Sequence, residues 1–542
     1  MKRCILLIIA LLYIALNDAS IGQIITQLNS YYSSNDSKAK ATCFSNSGAV
    51  YLAGEFKDEL IIGFNSANSL GANAGYLAKQ TSNGDVPFMK SFTGSGEVFV
   101  SSIAAFGDTI LVAGTYTDSL FIGTDTLINE HFKGVYIGLF DSLGNYLSSW
   151  STSSYSAEIY DCKISPSGKI IACGEYFGDL TFGSTSLQST LGFNFFLFSL
   201  DRVSFDPEWI EVSTGTATNA KKIDFDGVGN IFICGSYGDE TLIQGNSLPN
   251  VAGDHNLFLA KYDEFGDLLL VRTLVGPVQT HGLALAVANN GDVYVGGEYE
   301  MNVDVPNIGM LSNVALMDAF IVKMNADGTF SWAQNIGTSD NDAAINIQLD
   351  INEAPIVLAN AGHMLTVDGT PMNSDGFFDP ILIKFDKEDG TPIWNFRIPS
   401  APVSGIVAGY DFDLRDSMIS ICGSNKTGIF YAGDLLDSPN NSDSFWAIIK
   451  DTTIQQSQAT LMQLSENDFS VYPNPFIDYF QVDSQHFTDS MKVELFDSKA
   501  TSIKLNRYNG NKYETENALT SGFYILKITT DYGVIQKLLL HL

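Results

Sequence analysis

DAFIVKMNADGTFSWAQNIGTSDNDAAINIQLDINEAPIVLAN, residues 318–360, holds one complete structural unit of this chain. DAFIVKMN is a β-rich run with apolar residues at alternate positions, as expected of a strand. Asp327-Gly328 marks a tight reversal, because glycine enters the left-handed backbone region at little cost. TFSWAQNI reads as a second strand. GTSDND is a polar loop, AINIQLD a third strand, and PIVLAN a fourth after a short turn.

The end of that unit, a small residue and then Gly after an apolar run, recurs through the chain. It appears as YLAGEF ending at Phe56, LVAGTY at Tyr116, IACGEY at Tyr176, FICGSY at Tyr237, YVGGEY at Tyr299 and ISICGSN at Asn425. IVLANA, ending at Ala361, is a degenerate copy. Gly54, Gly114, Gly174, Gly235 and Gly297 are spaced by 60, 60, 61 and 62 residues, with Asn360 and Gly423 each 63 further on. A fixed period of this kind signals a repeat architecture. GYLAKQTSNGDVPFMKSF (75–92), NLFLAKYDEFGDLLLVRTL (256–274) and DPILIKFDKEDGTPIWNFRI (379–398) repeat the strand–turn–strand pattern.

These features predict an all-β fold, a seven-bladed β-propeller of four-stranded blades. The last unit is incomplete: SFWAIIKD (444–451) has no partner strand after it. QIITQLNSYYSSNDSKAKATC (23–43) supplies the missing piece at the other end. The N-terminal strand is expected to close the ring and remove an exposed sheet edge. On these motifs the unit resembles the SBBP repeat of bacterial seven-bladed propellers, over about residues 23–452.

Residues 452–466 lose the repeat and read as a linker. Residues 467–542 carry short strands, FSVYPNPF, YFQVDS, MKVELFDS, TSIKLNRY, GFYILKITTDYG and VIQKLLLHL, which suggest a small β-sandwich. YPNP at Tyr472, Pro473, Asn474 and Pro475, the turn into a strand at Gly522 and Tyr524, and the final strand with Lys537 resemble the type A C-terminal sorting domain of the type IX secretion system of Bacteroidetes. That resemblance implies an export address, read by the secretion machinery and removed after the outer membrane is crossed.

Residues 1–22 read as a secretory signal peptide. Lys2 and Arg3 precede the apolar stretch Cys4–Leu16, which is too short to span a bilayer, and Ser20 and Gly22 suit a cleavage site. The expected mature chain is secreted or on the outer cell surface, with no transmembrane anchor. The formal net charge of the full sequence is −32 over 542 residues, most of it in the repeat region. Such a surface repels phosphate backbones, so no nucleic-acid partner is expected. Cys43, Cys162, Cys173, Cys234 and Cys422 remain after cleavage, an odd number that argues against a full disulfide framework. Cys162 and Cys173 fall across one hairpin, leaving both a local bridge and plain burial open.

No HExxH, GxSxG, phosphate loop or zinc-like spacing is present. No catalytic residue, metal ligand or cofactor is therefore assigned. Calcium is the one ion weighed: DFDGVGN (224–230) is similar to a calcium loop, lacks its later Glu, and reads better as a turn. One constellation merits a test. Asp36, Glu97, Glu158, Asn219, His281 and Asp342 precede the third strand at near-equivalent repeat positions. If that strand is innermost, they gather at one mouth of a central channel as a candidate ligand ring; capping of loop amides is the plainer reading. Glu55, Glu175 and Glu298 follow the anchor Gly, each before a packing aromatic. The expected function is a non-catalytic binding or adhesion module whose partner is a protein or glycan at the cell surface. The alternatives are a carbohydrate-active hydrolase or lyase at the channel mouth, and a calcium-bridged structural protein of envelope or matrix.

Overall fold

The computed structural model describes residues 23–452, apart from 46, 71, 82, 250–254, 363, 368, 372–377, 401–405, 432–433, 437 and 439–441. Beyond these it describes residues 469–472, 479–484, 492–496, 502–508, 512–515, 518–530 and 533–541. The expected signal peptide, nearly all of the expected linker, and Pro473, Asn474 and Pro475 lie outside the described residues. Every regular element among the described residues is a β-strand. The chain divides into two compact units, one ending at Thr453 and the other beginning at Ile454.

In the first unit one strand order recurs. Ser37–Phe44, Val50–Phe56, Ala74–Gln80 and Phe88–Phe92 form an antiparallel sheet in chain order. Val98–Phe106, Thr109–Tyr116, Gly134–Asp141 and Tyr146–Thr152 form the next. Further sheets open with Ser154–Ile164, Thr218–Phe225, Thr280–Val287 and Ala343–Leu349. The last opens with Val407–Arg415 and continues through Met418–Asn425 and Asp443–Asp451. Its fourth strand is Gln23–Ser33, with Gln23 opposite Asp451 and Tyr31 opposite Ser444. The opening strands pack side by side in sequence, and Val407–Arg415 returns to Ser37–Phe44, so their order is cyclic. The arrangement is propeller-like, with an apolar core between each pair of neighbouring sheets.

The recurring Gly has a steric cause. Each opening strand carries a β-bulge just after the residue that faces the anchor: Ala39 faces Gly54, Val100 faces Gly114, Ile159 faces Gly174 and Gly282 faces Gly297. The bulge turns a backbone carbonyl onto the anchor. A Cβ on Gly174 would lie 1.9 Å from the Glu158 carbonyl oxygen, and one on Gly114 would lie 2.0 Å from that of Phe99. In the degenerate unit the same bulge follows Ala344, which faces Ala359. Ala359, not Asn360, therefore holds the anchor position. Asn360 instead exchanges two hydrogen bonds with the backbone of Gly409, both of 2.9 Å.

The cysteine before the anchor is a packing residue. The five cysteines among the described residues are buried and free. Cys162 faces Ala172 and Cys173 faces Asp161, so the hairpin holds no bridge. The Cys173 thiol lies 3.3 Å from the Ala220 carbonyl of the following sheet. Phe56, Tyr176 and Tyr299, after the anchor, are likewise buried.

Between the second and third strands the chain inserts a two-stranded ribbon, such as Glu59–Ile62 with Asn65–Asn68 and Ser119–Ile122 with Asp125–Ile128. The ribbons reach the outermost strand of the preceding sheet. Ile61 faces Tyr32, Ile243 faces Ser213 and Val367 faces Ile336, while Phe121 bridges Thr93. An outer edge that would stand open is thereby partly paired.

The second unit has two four-stranded antiparallel sheets. One orders Phe469–Tyr472, Tyr479–Ser484, Lys512–Thr515 and Leu505–Tyr508. The other orders Ser502–Ile503, Lys492–Phe496, Gly522–Thr530 and Gly533–His541. Phe480, Val482, Leu495, Tyr513, Tyr524 and Leu526 form its core. The Tyr524 hydroxyl donates to the Thr520 carbonyl at 2.8 Å and ties the turn to the strand. Lys537 faces Leu526 in the last strand pair.

Candidate functional site

The opening strands leave their inner edges unpaired, so backbone N–H groups point toward the axis and need acceptors. Short polar side chains on the preceding opening strand supply them. Asp161 accepts from the Ile223 amide at 3.0 Å, and Asp411 accepts from Thr42 at 2.9 Å. Two residues further along, Asp224 accepts from Val287 and Asp413 from Phe44, both at 2.7 Å. Ser102 and Asn346 take the same place as Asp161 and reach the next strand at Cys162 and Phe412. These carboxylates stitch neighbouring sheets together around a cavity of about 300 Å³, to which every opening strand contributes.

Burial governs their protonation. Desolvation pushes the Asp411 carboxyl up to about 6, against the opposing pull of the Lys222 ammonium. Lys163 lies 3.1 Å from Asp224, which with Asp161 holds its ammonium charged despite the burial.

The mouth of this channel is a second cavity, of about 380 Å³, and its chemistry is mixed. Lys133 pairs with Glu158. Lys38 lies 3.3 Å from Glu55. The Tyr160 hydroxyl donates to Glu158 at 3.3 Å, and the Lys221 ammonium sits 3.3 Å above the Tyr160 ring. Lys40 stands 4.2 Å from the centre of the Tyr410 ring. Glu175, directly across the strand pair from Glu158, has its carboxyl raised by burial. Glu298 is raised for the same reason, and burial lowers Lys221.

The six residues read as a ring occupy three different register positions. Glu158, Asn219 and His281 stand one residue before the one facing the anchor. Asp36 and Glu97 stand three before it, on the same side of the strand, and Asp342 stands two before, on the opposite side. Asp342 is therefore only 1% exposed. It accepts from the Thr338 amide at 2.6 Å, the Thr338 hydroxyl at 2.8 Å and the Gly362 amide at 2.9 Å, with its carboxyl pushed up to about 6 by burial. Glu97 accepts from the Asn73 amide at 3.1 Å, and Asn219 from the Ser236 amide at 3.2 Å. Asp36 joins Ser442 in a bridge that docks the closing strand pair. His281 is bonded to Ser236 at 2.9 Å and Gln279 at 3.0 Å. Burial, then His255 and Lys221, lower its pKa to about 4, so it is neutral at pH 7. Of the six, Glu158 alone lines the mouth cavity. The lysines that join it there were not singled out from the sequence: surface lysines are common, and the bulge position that Lys40 and Lys221 share is held by Ser101, Tyr160 and Tyr410 in other repeats.

The Asp226 carboxylate of the DFDGVGN segment is engaged by the Asn230 amide at 2.9 Å and by Lys261 at 3.2 Å, the geometry of a capped turn. Among the described residues no group of three or more His, Cys, Asp or Glu side chains is placed to hold a metal ion.

A row of aromatic rings leads away from the mouth. His131, Tyr155, Phe177 and Phe193 follow one another with ring centres 6.5, 6.1 and 5.5 Å apart. Tyr155, Phe177 and Phe193 are 50%, 37% and 42% exposed. The Tyr155 carbonyl accepts the amides of Phe132 and Lys133 at 3.0 and 3.2 Å, which fixes the row against the Lys133–Glu158 pair.

Comparison with known proteins divides along the chain. Residues 470–541 match the secretion system C-terminal sorting domain. The chain carries a secretion signal of that class at its C-terminus. No helix among the described residues is long and apolar enough to cross a membrane. Regulatory protein FlaEY of Caulobacter vibrioides is 26% identical over 148 residues, which is 26% of this chain and 15% of that protein. Among solved structures, quinohemoprotein alcohol dehydrogenase from Comamonas testosteroni aligns with a TM-score of 0.36 and 10% identity, over 78% of this chain and 76% of that one. A mutant Trypanosoma rangeli sialidase with trans-sialidase activity aligns at 0.36 and 7%, over 96% and 88%. BamB from Moraxella catarrhalis aligns at 0.28 and 11%, over 78% and 99%.

Proposed function

We propose that this chain is a secreted or cell-surface binding protein: a seven-bladed β-propeller of SBBP-type repeats, residues 23–451, closed by its own N-terminal strand. A signal peptide (1–22) and a sorting sandwich (467–542), joined by the linker 452–466, direct it through the type IX secretion system. The blade count is supported by the cyclic packing of the opening strands, and the closure by the pairing of Gln23–Ser33 with Asp443–Asp451. One observation carries the binding reading. The channel carboxylates are committed to backbone amides of the next strand, so they hold the ring together. The mouth and the ring row beside it remain available to a partner. Incubating the mature chain with surface polysaccharides and proteins tests this: capture without turnover is expected, and product release from a bound polysaccharide would overturn it.

A second reading, a glycoside hydrolase, draws on Glu158 and Glu175, which face each other with Glu175 raised. Glu158→Gln and Glu175→Gln would then abolish turnover. Export is tested separately. Deleting residues 467–542 is expected to trap the chain in the periplasm, and a truncated chain at the surface at the full-length level would refute the address.

A further inference from the structure

The binding reading leaves the partner's chemistry open, and the mouth with its ring row narrows it. Three observations bear on the partner. The first is the row itself. Its rings lean on one another at 41°, 70° and 41°, so each is held in place by its neighbours while an apolar face stays in water. Exposed rings fixed before binding lose little conformational freedom on binding. The second is the polarity of the adjoining cavity. It offers ammonium donors, carboxylate acceptors, the Ser101 and Thr115 hydroxyls and the Phe99 and Tyr410 rings within about 380 Å³. A phosphate or sulfate would be met by Glu55 and Glu158, and a divalent cation by Lys40 and Lys133. An apolar side chain would leave all four charged groups desolvated. A ligand whose groups both donate and accept, and which carries apolar C–H faces, satisfies the whole set. The third is the overall charge of −32, which disfavours polyanions.

We infer that this surface binds a neutral glycan chain, its sugar faces stacked along Tyr155, Phe177 and Phe193 and one residue hydrogen-bonded beside the Lys133–Glu158 pair. The inference rests on the binding reading. Lys133 is the joint: its amide is anchored to the Tyr155 carbonyl, and its ammonium lies 5.8 Å from the Phe132 ring centre while pairing with Glu158. The row and the mouth therefore belong to one continuous surface.

The test is affinity electrophoresis of the mature chain through gels containing β-1,4-glucan, β-1,3-glucan, α-1,4-glucan, xylan or mannan, with alginate and a pectin as acidic controls. Retardation by at least one neutral polysaccharide and by neither acidic one is expected. Tyr155→Ala with Phe177→Ala should weaken that retardation about 10-fold or more, since each exposed ring is worth up to roughly a factor of ten. Glu158→Gln keeps the size of the side chain and should weaken it without changing the melting temperature. Absence of retardation by every neutral polysaccharide overturns the inference, as does equal retardation of the ring variant. A protein partner whose capture needs Tyr155 and Phe177 also overturns it, while leaving the binding reading intact. Hydrolysis of the polysaccharide removes the binding reading instead.

Discussion

Replacing Gly174 by Ala tests the steric account of the repeat. The new Cβ would sit 1.9 Å from the Glu158 carbonyl oxygen and 2.6 Å from Phe196 Cζ, where ordinary contacts begin near 3.4 Å. The oxygen belongs to backbone, so the two strands must part at the bulge. Overpacking of this kind costs about 1–3 kcal/mol, and two weakened ladder hydrogen bonds add about 1 kcal/mol each, giving a loss of about 3–5 kcal/mol. Gly168, in the turn between the same two strands, is the control. It has φ of +87° and nothing within 4 Å of an added Cβ. Gly168→Ala then carries only the left-handed penalty, about 1 kcal/mol. Urea unfolding of the mature chain, followed by tryptophan fluorescence, gives both midpoints. A Gly168 variant that loses as much as the Gly174 variant, or more, would refute the reasoning.

Three further outcomes are expected. Asp161→Ala strands the Ile223 amide, while the Ser102 hydroxyl keeps its bonds to Cys162, at a cost of about 1–3 kcal/mol; an unchanged unfolding midpoint would count against the stitching role. Asp342 and Asp411 have pKa values raised by folding from 3.8 to about 6. Between those limits the folded chain binds more protons than the unfolded one. Their contribution to stability is therefore full below about pH 4 and lost as pH rises through about 6. Asp411→Asn should flatten the fall in melting temperature across that window, and parallel profiles for variant and parent would contradict it. Tyr524→Phe removes the bond to Thr520 and should lower the stability of the C-terminal unit by about 1 kcal/mol, read by hydrogen exchange of Gly522–Thr530.

The strand pattern was legible because its cause is local. Alternation sets which face is buried, and the bulge carbonyl restricts the anchor to Gly in six repeats and to Ala359 in the degenerate one. The candidate ring was less legible because a strand turns each successive side chain to the opposite face. One residue of register separates Asp342, sealed against Thr338, from a mouth residue such as Glu158, and the repeat period drifts by that amount between units. The Asn360 assignment failed for the same reason. The ribbons, as in SLFIGTDTLI at 119–128, are short and pair with a different unit, and no local pattern announces such a partner. The mouth lysines became visible only when Lys38 and Lys40 of one repeat were brought together with Lys133 and Lys221 of two others.

The pairing of Gln23–Ser33 with Asp443–Asp451 also sets a timetable. The Gln23 side chain bonds to Asp451 at 3.0 Å across a separation of 428 residues. A ribosome must finish almost the whole repeat region before that contact can form. Until then the chain's first strand has no partner, and the last sheet, once made, shows a bare edge. Loop closure over such a distance is slow compared with the hairpins that build each sheet. The final step of assembly is thus a race between the molecule's own first strand and the same strand from another copy. A higher concentration of unclosed chains favours the intruder, and a long wait for closure gives it time.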